Sequence, residues 1–182
     1  MRTSTRRTVT TAAAGLTGLC AAVLVPTVAA PEAAAYAGSE PDGWVETAYL
    51  TGYSLEDNSP AGTRTTSSGR KAGGTGTYDD PITLAVGYAG GDEFERGTVF
   101  YVPLVRAYFV VEDRCGACSD WTSEADYTID LWVGSDPDSS CMYAITGAHT
   151  VVRDAGPGWE VEYRPYELGS DCSLFGETPV AA

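Results

Sequence analysis

Seven short runs rich in Val, Tyr, Phe, Thr and Trp, cut apart by Gly, Pro, Asp and Ser, restrict what this chain can fold into. They fall at Trp44–Tyr53, Ile82–Val86, Thr98–Val102, Ala107–Glu112, Thr128–Val133, His149–Arg153 and Trp159–Tyr163. β-branched and aromatic side chains favour a pleated backbone, and the residues between the runs favour turns. Long helical periodicity is missing, and only 139–146 suits one short helix. The spacing therefore predicts an all-β barrel or sandwich. The connector from Glu56 to Asp80 is rich in Gly, Thr and Ser and nearly free of large apolar side chains. A stretch of that length inside a compact domain is expected to be functional or disordered.

The first residues read as a leader. Met1 to Arg7 carry three arginines and no acid, an apolar stretch follows from about Ala12 to Val28, and Ala35-Tyr-Ala37 is a small-x-small cleavage signal. That is the pattern of a secretory signal peptide. Thr17, Gly18 and Pro26 break the apolar stretch, which argues against a membrane anchor. Leu19 stands before Cys20 where a lipoprotein signal wants a small residue, so Cys20 is expected to leave with the leader. The expected division is 1–37 signal peptide, 38–176 barrel domain and 177–182 a loose tail, in a secreted, extracellular protein.

Charge narrows the partners. The formal charge is −14, and removing three arginines and Glu32 with the leader leaves 8 basic against 24 acidic residues, or −16. Such a surface repels phosphate backbones and anionic membranes, so neither nucleic acid nor, after cleavage, a membrane is an expected partner. Neutral glycans and cationic partners remain compatible. The chain is expected to be a monomer without a cofactor.

Four cysteines remain beyond the leader: Cys115, Cys118, Cys141 and Cys172. In an exported protein an even count reads as two disulfides, with three possible pairings. The Cys115–Cys118 spacing also fits a redox or zinc half-site. The redox reading wants a βαβ pattern that is absent, and zinc would need four thiolates kept reduced outside the cell. Structural disulfides are the expectation, with no metal.

Two aspartates interrupt strand-like runs: Asp113 in Tyr108-Phe-Val-Val-Glu-Asp-Arg-Cys-Gly-Ala-Cys118, and Asp130 in Tyr127-Thr-Ile-Asp-Leu-Trp-Val133. A carboxylate in such a run is costly to desolvate unless it is hydrogen-bonded or used. Between Ile129 and Leu131, Asp130 has surroundings able to raise its pKa, as a glycosidic general acid requires. Asp113, beside Arg114, reads more readily as a clasp tied to a backbone amide. His149, the sole histidine, has no serine or cysteine motif around it, so a hydrolase triad is not expected. The glycine-rich segment 72–81 lacks the lysine and helix onset of a phosphate loop, and Asp79 and Asp80 before Pro81 suit a turn better than calcium.

The order Gly97-Thr-Val-Phe-Tyr-Val-Pro103, then the Asp113-Arg-Cys strand end, then Ile129-Asp-Leu-Trp132 resembles the double-psi β-barrel superfamily. Within it the chain is most similar to secreted barwin-like, rare-lipoprotein-A-like and three-aspartate-domain proteins, with Pro81-Ile-Thr-Leu-Ala-Val86 supplying the Ala-Val step. The resemblance spans roughly Thr47 to Val152. It implies an all-β, six-stranded double-psi barrel with a glycan-binding groove, acting on cell-wall polysaccharide or peptidoglycan. It also implies Asp130 as catalytic acid in a glycoside hydrolase or lytic transglycosylase, with Asp57 or Asp113 assisting. Gly87 stands where the three-aspartate pattern has its first aspartate, so only Asp113 and Asp130 carry over. Tyr53, Tyr78, Asp80 and Trp132 are the expected substrate-binding side chains, aromatic faces being suited to sugar rings. Two other classes stay open: a non-catalytic, expansin-like wall-binding module, and a protease-inhibitor-type barrel acting through a disulfide-braced loop.

Overall fold

The computed structural model describes residues 41–87, 94–119, 124–135, 139–163, 168 and 173–182. The expected leader and Cys172 lie outside the described residues. Six strands close into a barrel: β1 (Trp44–Ser54), β2 (Ile82–Val86), β3 (Val99–Val102), β4 (Ala107–Arg114), β5 (Thr128–Gly134) and β6 (Gly147–Arg153). Their order around the wall is β1-β5-β2-β4-β3-β6. Pairing is mixed: β1 with β5 and β2 with β4 run parallel, and the other four contacts are antiparallel. One helix, α1 (Ser139–Ile145), lies where the sequence predicts it.

The barrel closes because its apolar residues fill it. Every residue of β2 is buried, and Leu50, Leu84, Phe100, Phe109, Val111, Ile129, Leu131 and Val151 are wholly enclosed. Each such side chain contributes roughly 1.5–3 kcal/mol relative to exposure. Along β5 the alternation is legible: Ile129 and Leu131 share one face and Thr128, Asp130 and Trp132 the other.

Six of the seven expected strands form within a residue or two of the expected bounds. Trp159–Tyr163 does not join the wall, and its only ladder contact among the described residues is a bridge from Trp159 to Ala181. Side chains hold it instead. Trp159 stacks on Tyr101 with ring centroids 5.7 Å apart, and the Tyr108 hydroxyl donates to the Gly156 carbonyl at 2.9 Å while accepting the Trp159 amide at 3.0 Å. Pro157 and Gly158 turn the chain out of the strand direction before Trp159 arrives. The segment 177–182 is likewise anchored rather than loose. Glu160 N–H donates to Val180 O and Ala182 N–H to Gly158 O, and the Glu177 carboxylate meets His149 Nδ1 and the Thr150 amide, each at 2.7 Å.

The long connector is ordered by local hydrogen bonds. Asn58 donates its side-chain amide to the carbonyls of Thr63 and Thr65, at 2.8 and 3.2 Å, and Thr65 bridges Lys71 across a small hairpin. Gly74 pins its far end. Its φ is +126°, and a Cβ there would stand 2.2 Å from the Pro81 carbonyl oxygen. Gly74→Ala should therefore cost roughly 2–4 kcal/mol through strain and backbone clash. Urea unfolding checks it, and a variant as stable as wild type would show that this approach is not needed.

Candidate active-site groove

Strand register assembles the site. Thr51 on β1 pairs with Asp130 on β5, Asp130 with Ala85 on β2, and Ala85 with Asp113 on β4. A register shift between Leu84 and Ala85 leaves Glu112 as an extra residue, and that bulge brings Asp113 rather than Glu112 opposite Ala85. The result is a row across four strands, with a methyl group between two carboxylates. Above the row lies a groove of about 700 Å³, walled by the connector (Asp57, Asn58, Thr66, Ser67) and by the Cys115–Cys118 loop. Cys115 and Cys118 are joined by a disulfide, with Cα atoms 5.3 Å apart. Cys141 is also disulfide-bonded.

Asp130 lies in the groove, partly buried, with Oδ1 accepting the Thr51 hydroxyl at 2.7 Å. Among the described residues its Oδ2 has no hydrogen-bond partner. Burial pushes its carboxyl up to about 6; the Thr51 bond opposes the rise, and the charges of Asp57 and Asp113 add to it. Asp57 is exposed at the mouth of the same groove. Its Oδ2 is oriented by the Ser54 hydroxyl and amide, at 2.7 and 3.2 Å.

Asp113 is differently placed. It is 5% exposed, and its Oδ1 accepts the backbone amides of Ser67 and Arg114, both at 2.8 Å. Its Oδ2 receives the Tyr53 hydroxyl at 3.3 Å. Burial, then the charge of Asp113, raises the pKa of the Tyr53 phenol, keeping it a donor. The Ser67 bond spans from the connector to β4. This arrangement fits the clasp reading and holds one rim of the groove.

The expected ligand-binding aromatics are not brought together. Tyr53 lines the groove but is 6% exposed, with its hydroxyl turned to Asp113. Trp132 is fully buried beneath the connector, the Tyr53 ring at its edge 5.2 Å away and the Arg64 guanidinium 5.9 Å above it. It is a core residue and cannot stack on a sugar. Tyr78 packs edge-on against Tyr108 at 5.4 Å. Asp80 belongs to a second hollow of about 400 Å³ with Arg64, Arg70, Lys71 and Glu112, where it accepts the Thr75 amide at 3.0 Å. Three residues escape the sequence reading: Thr51, which orients Asp130; Ala85, whose small side chain separates the carboxylates; and Ser67, which fixes Asp113. None of the three left a signal: β1 carries other polar residues, Glu46 and Thr47 among them, so Thr51 does not stand out.

Residues 45–173 match the family described as the DDB_G0273701 N-terminal domain. A Dictyostelium discoideum protein described as the uncharacterized protein DDB_G0273701/DDB_G0273221 is 34% identical over 111 residues, covering 57% of this chain and 48% of that protein. The chain thus spans about half the length of the curated relative it matches. No solved structure matches it.

Two expectations test the groove's electrostatics. Asp113→Ala strips two amides and a hydroxyl of a buried acceptor, so it should cost about 2–4 kcal/mol. It should also speed amide exchange at Ser67; unaltered exchange there would remove the clasp. Asp130, whose folded-state pKa of about 6 exceeds the ordinary 3.8, binds its proton more tightly folded than unfolded. Its stabilising contribution is therefore complete below about pH 4 and is lost as pH rises to about 6, a swing of at most about 3 kcal/mol. Urea midpoints of Asp130→Asn should gain on wild type across that window. A constant difference from pH 4 to 7 would sink the assignment.

Proposed function

The chain belongs to the family of the DDB_G0273701 N-terminal domain, and from its groove we propose a glycan-active enzyme, exported to meet a wall polysaccharide or peptidoglycan strand, with Asp130 as general acid. The observation that carries this reading is Asp130 in the groove with one oxygen oriented by Thr51, the other unpartnered among the described residues, and its pKa raised to about 6. A glycosidic oxygen leaves only if it is protonated as the bond breaks, and an acid poised near neutrality does this best. Asp57 supplies the second carboxyl of the same groove, suited to activate the attacking water. Asp113, its oxygens engaged by two amides and a phenol, positions the rim.

Two features weigh against the competing classes. Among the described groove residues the only aromatic is Tyr53, which is buried, so a wall-binding module relying on stacked rings has little to work with. The Cys115–Cys118 loop forms part of the groove wall, whereas an inhibitory loop has to project onto another protein. The double-psi resemblance remains a supporting analogy, resting on the Asp113-Arg-Cys and Ile129-Asp-Leu strands and on the two parallel pairs β1·β5 and β2·β4.

The test incubates the protein with peptidoglycan, cellulose and chitin, scoring soluble fragments and pull-down separately. Fragment release should fall about 10²–10⁴-fold in Asp130→Asn, with its melting temperature not lowered. In wild type it should fall about tenfold per pH unit above about 6, since only the protonated acid acts. Pull-down without fragments from any polymer would support the binding module, and turnover undiminished in Asp130→Asn would dismiss the mechanism.

A further inference from the structure

The groove wall beside Asp130 brings unlike chemistry to one point. The Sγ atoms of Cys115 and Cys118 and a carboxylate oxygen of Asp130 all lie within 4.8 Å of one another. In the oxidised chain the sulfurs are bonded together and have no lone pairs suited to a hard or borderline cation. We infer that after reduction of this disulfide Cys115, Cys118 and Asp130 hold a zinc ion, its fourth position open to the groove.

Ligand type and spacing fit. Zinc takes thiolate sulfur at about 2.3 Å and carboxylate oxygen at about 2.0–2.2 Å in a tetrahedron. Ligand atoms around such an ion stand roughly 3.5–3.8 Å apart, so small side-chain rotations suffice. The Cys118 amide donates to Cys115 Sγ at 3.1 Å. A backbone N–H at that sulfur favours the thiolate, which is the ligating form. The Thr51 hydroxyl on Asp130 Oδ1 is the outer contact that orients a ligating carboxylate. A zinc site reached through four thiolates would need both disulfides opened. Counting Asp130 as a ligand, it needs only the three-residue-separated pair.

The chemistry balances simply. A dithiol reductant delivers two electrons and two protons to the Cys115–Cys118 disulfide and leaves as its own disulfide. Zn²⁺ then displaces the two thiol protons and binds the thiolates and the Asp130 carboxylate. Disulfide and metal are mutually exclusive occupants of the same loop. Metal binding withdraws Asp130 from proton donation, so any glycan-cleaving form is a metal-free form. The site itself does not depend on the glycan reading, since its readout is metal affinity.

The experiment uses the full chain, oxidised or reduced with a phosphine, titrated first with Co²⁺ alone and then with Zn²⁺ in competition with a chromophoric chelator. The reduced chain should bind one equivalent, with a thiolate-to-cobalt charge-transfer band that Zn²⁺ abolishes; the oxidised chain should show none. Cys115→Ser and Cys118→Ser should each lose at least about a hundredfold in affinity, and Asp130→Asn at least about tenfold. Cys141→Ser should leave affinity unchanged. The proposal is overturned by a reduced chain that binds no metal, by binding that survives Cys115→Ser, or by Asp130→Asn with wild-type affinity. If reduction unfolds the chain, circular dichroism decides: refolding on addition of Zn²⁺ supports the site, and a chain that stays unfolded with Zn²⁺ present refutes it.

Discussion

A carboxylate sealed in a barrel wall survives only where the backbone supplies hydrogen bonds in place of water, and Asp113 is held in that way. Two amides and a phenol surround it. One amide comes from Ser67, some 46 positions earlier in the chain. An uncompensated charge there would cost several kcal/mol, so the connector is drawn to β4 as firmly as β4 needs it. The groove above Asp130 exists because the connector is held there. Trp132 is dry for the same reason, its outer face being roofed by the segment that Asp113 secures. The bulge at Leu84/Ala85 is the geometric half of the constraint. With regular pairing, Glu112 would face Ala85 and Asp113 would point to the opposite side of the wall.

The strands were legible because each has a strong local cause. Ile82–Val86 and Thr128–Val133 are β-branched runs bounded by Pro, Gly and Tyr, and both fold as read. Trp159–Tyr163 also carries aromatic and β-branched residues but follows Pro157 and Gly158, and tertiary packing on Tyr101 and Tyr108 wins over strand propensity. The segment 177–182 looked loose because two of its anchors, Glu177 to His149 and Val180 to Glu160, join residues distant in sequence. Composition does not encode such pairings.

The site was legible in part. Asp130 stood out as a charge in an apolar run, and burial does raise its pKa. Asp57 and Asp130 converge although the rest of the connector and three strands separate them in sequence. Trp132 misled because alternation puts it on Asp130's face, and alternation cannot reveal that a loop covers one position of that face and leaves the next open. Tyr78 and Asp80 misled because a glycine-rich loop next to a strand has two sides, and register decides which one meets the groove. Thr51, Ala85 and Ser67 carry no chemical signature of their own. Their roles come from being opposite something.

Asp113 and Asp130 share one cross-strand row, yet they differ in what the protein leaves undone. At Asp113 both oxygens are engaged by donors from three segments, and a group so satisfied has little to offer a ligand. At Asp130 one oxygen is engaged and the rest of the demand is unmet among the described residues, in surroundings that disfavour a bare charge. Such a carboxyl is stabilised by whatever positive charge arrives. A proton makes it an acid toward a leaving oxygen; a divalent ion makes it a ligand. The sulfurs beside it decide between these: bonded to each other they are inert wall, and parted they become two further donors around the same point. On these two proposals, a carboxylate left half-satisfied beside a breakable bond would have two chemistries in one location, with the redox state of the loop deciding whether the metal can bind.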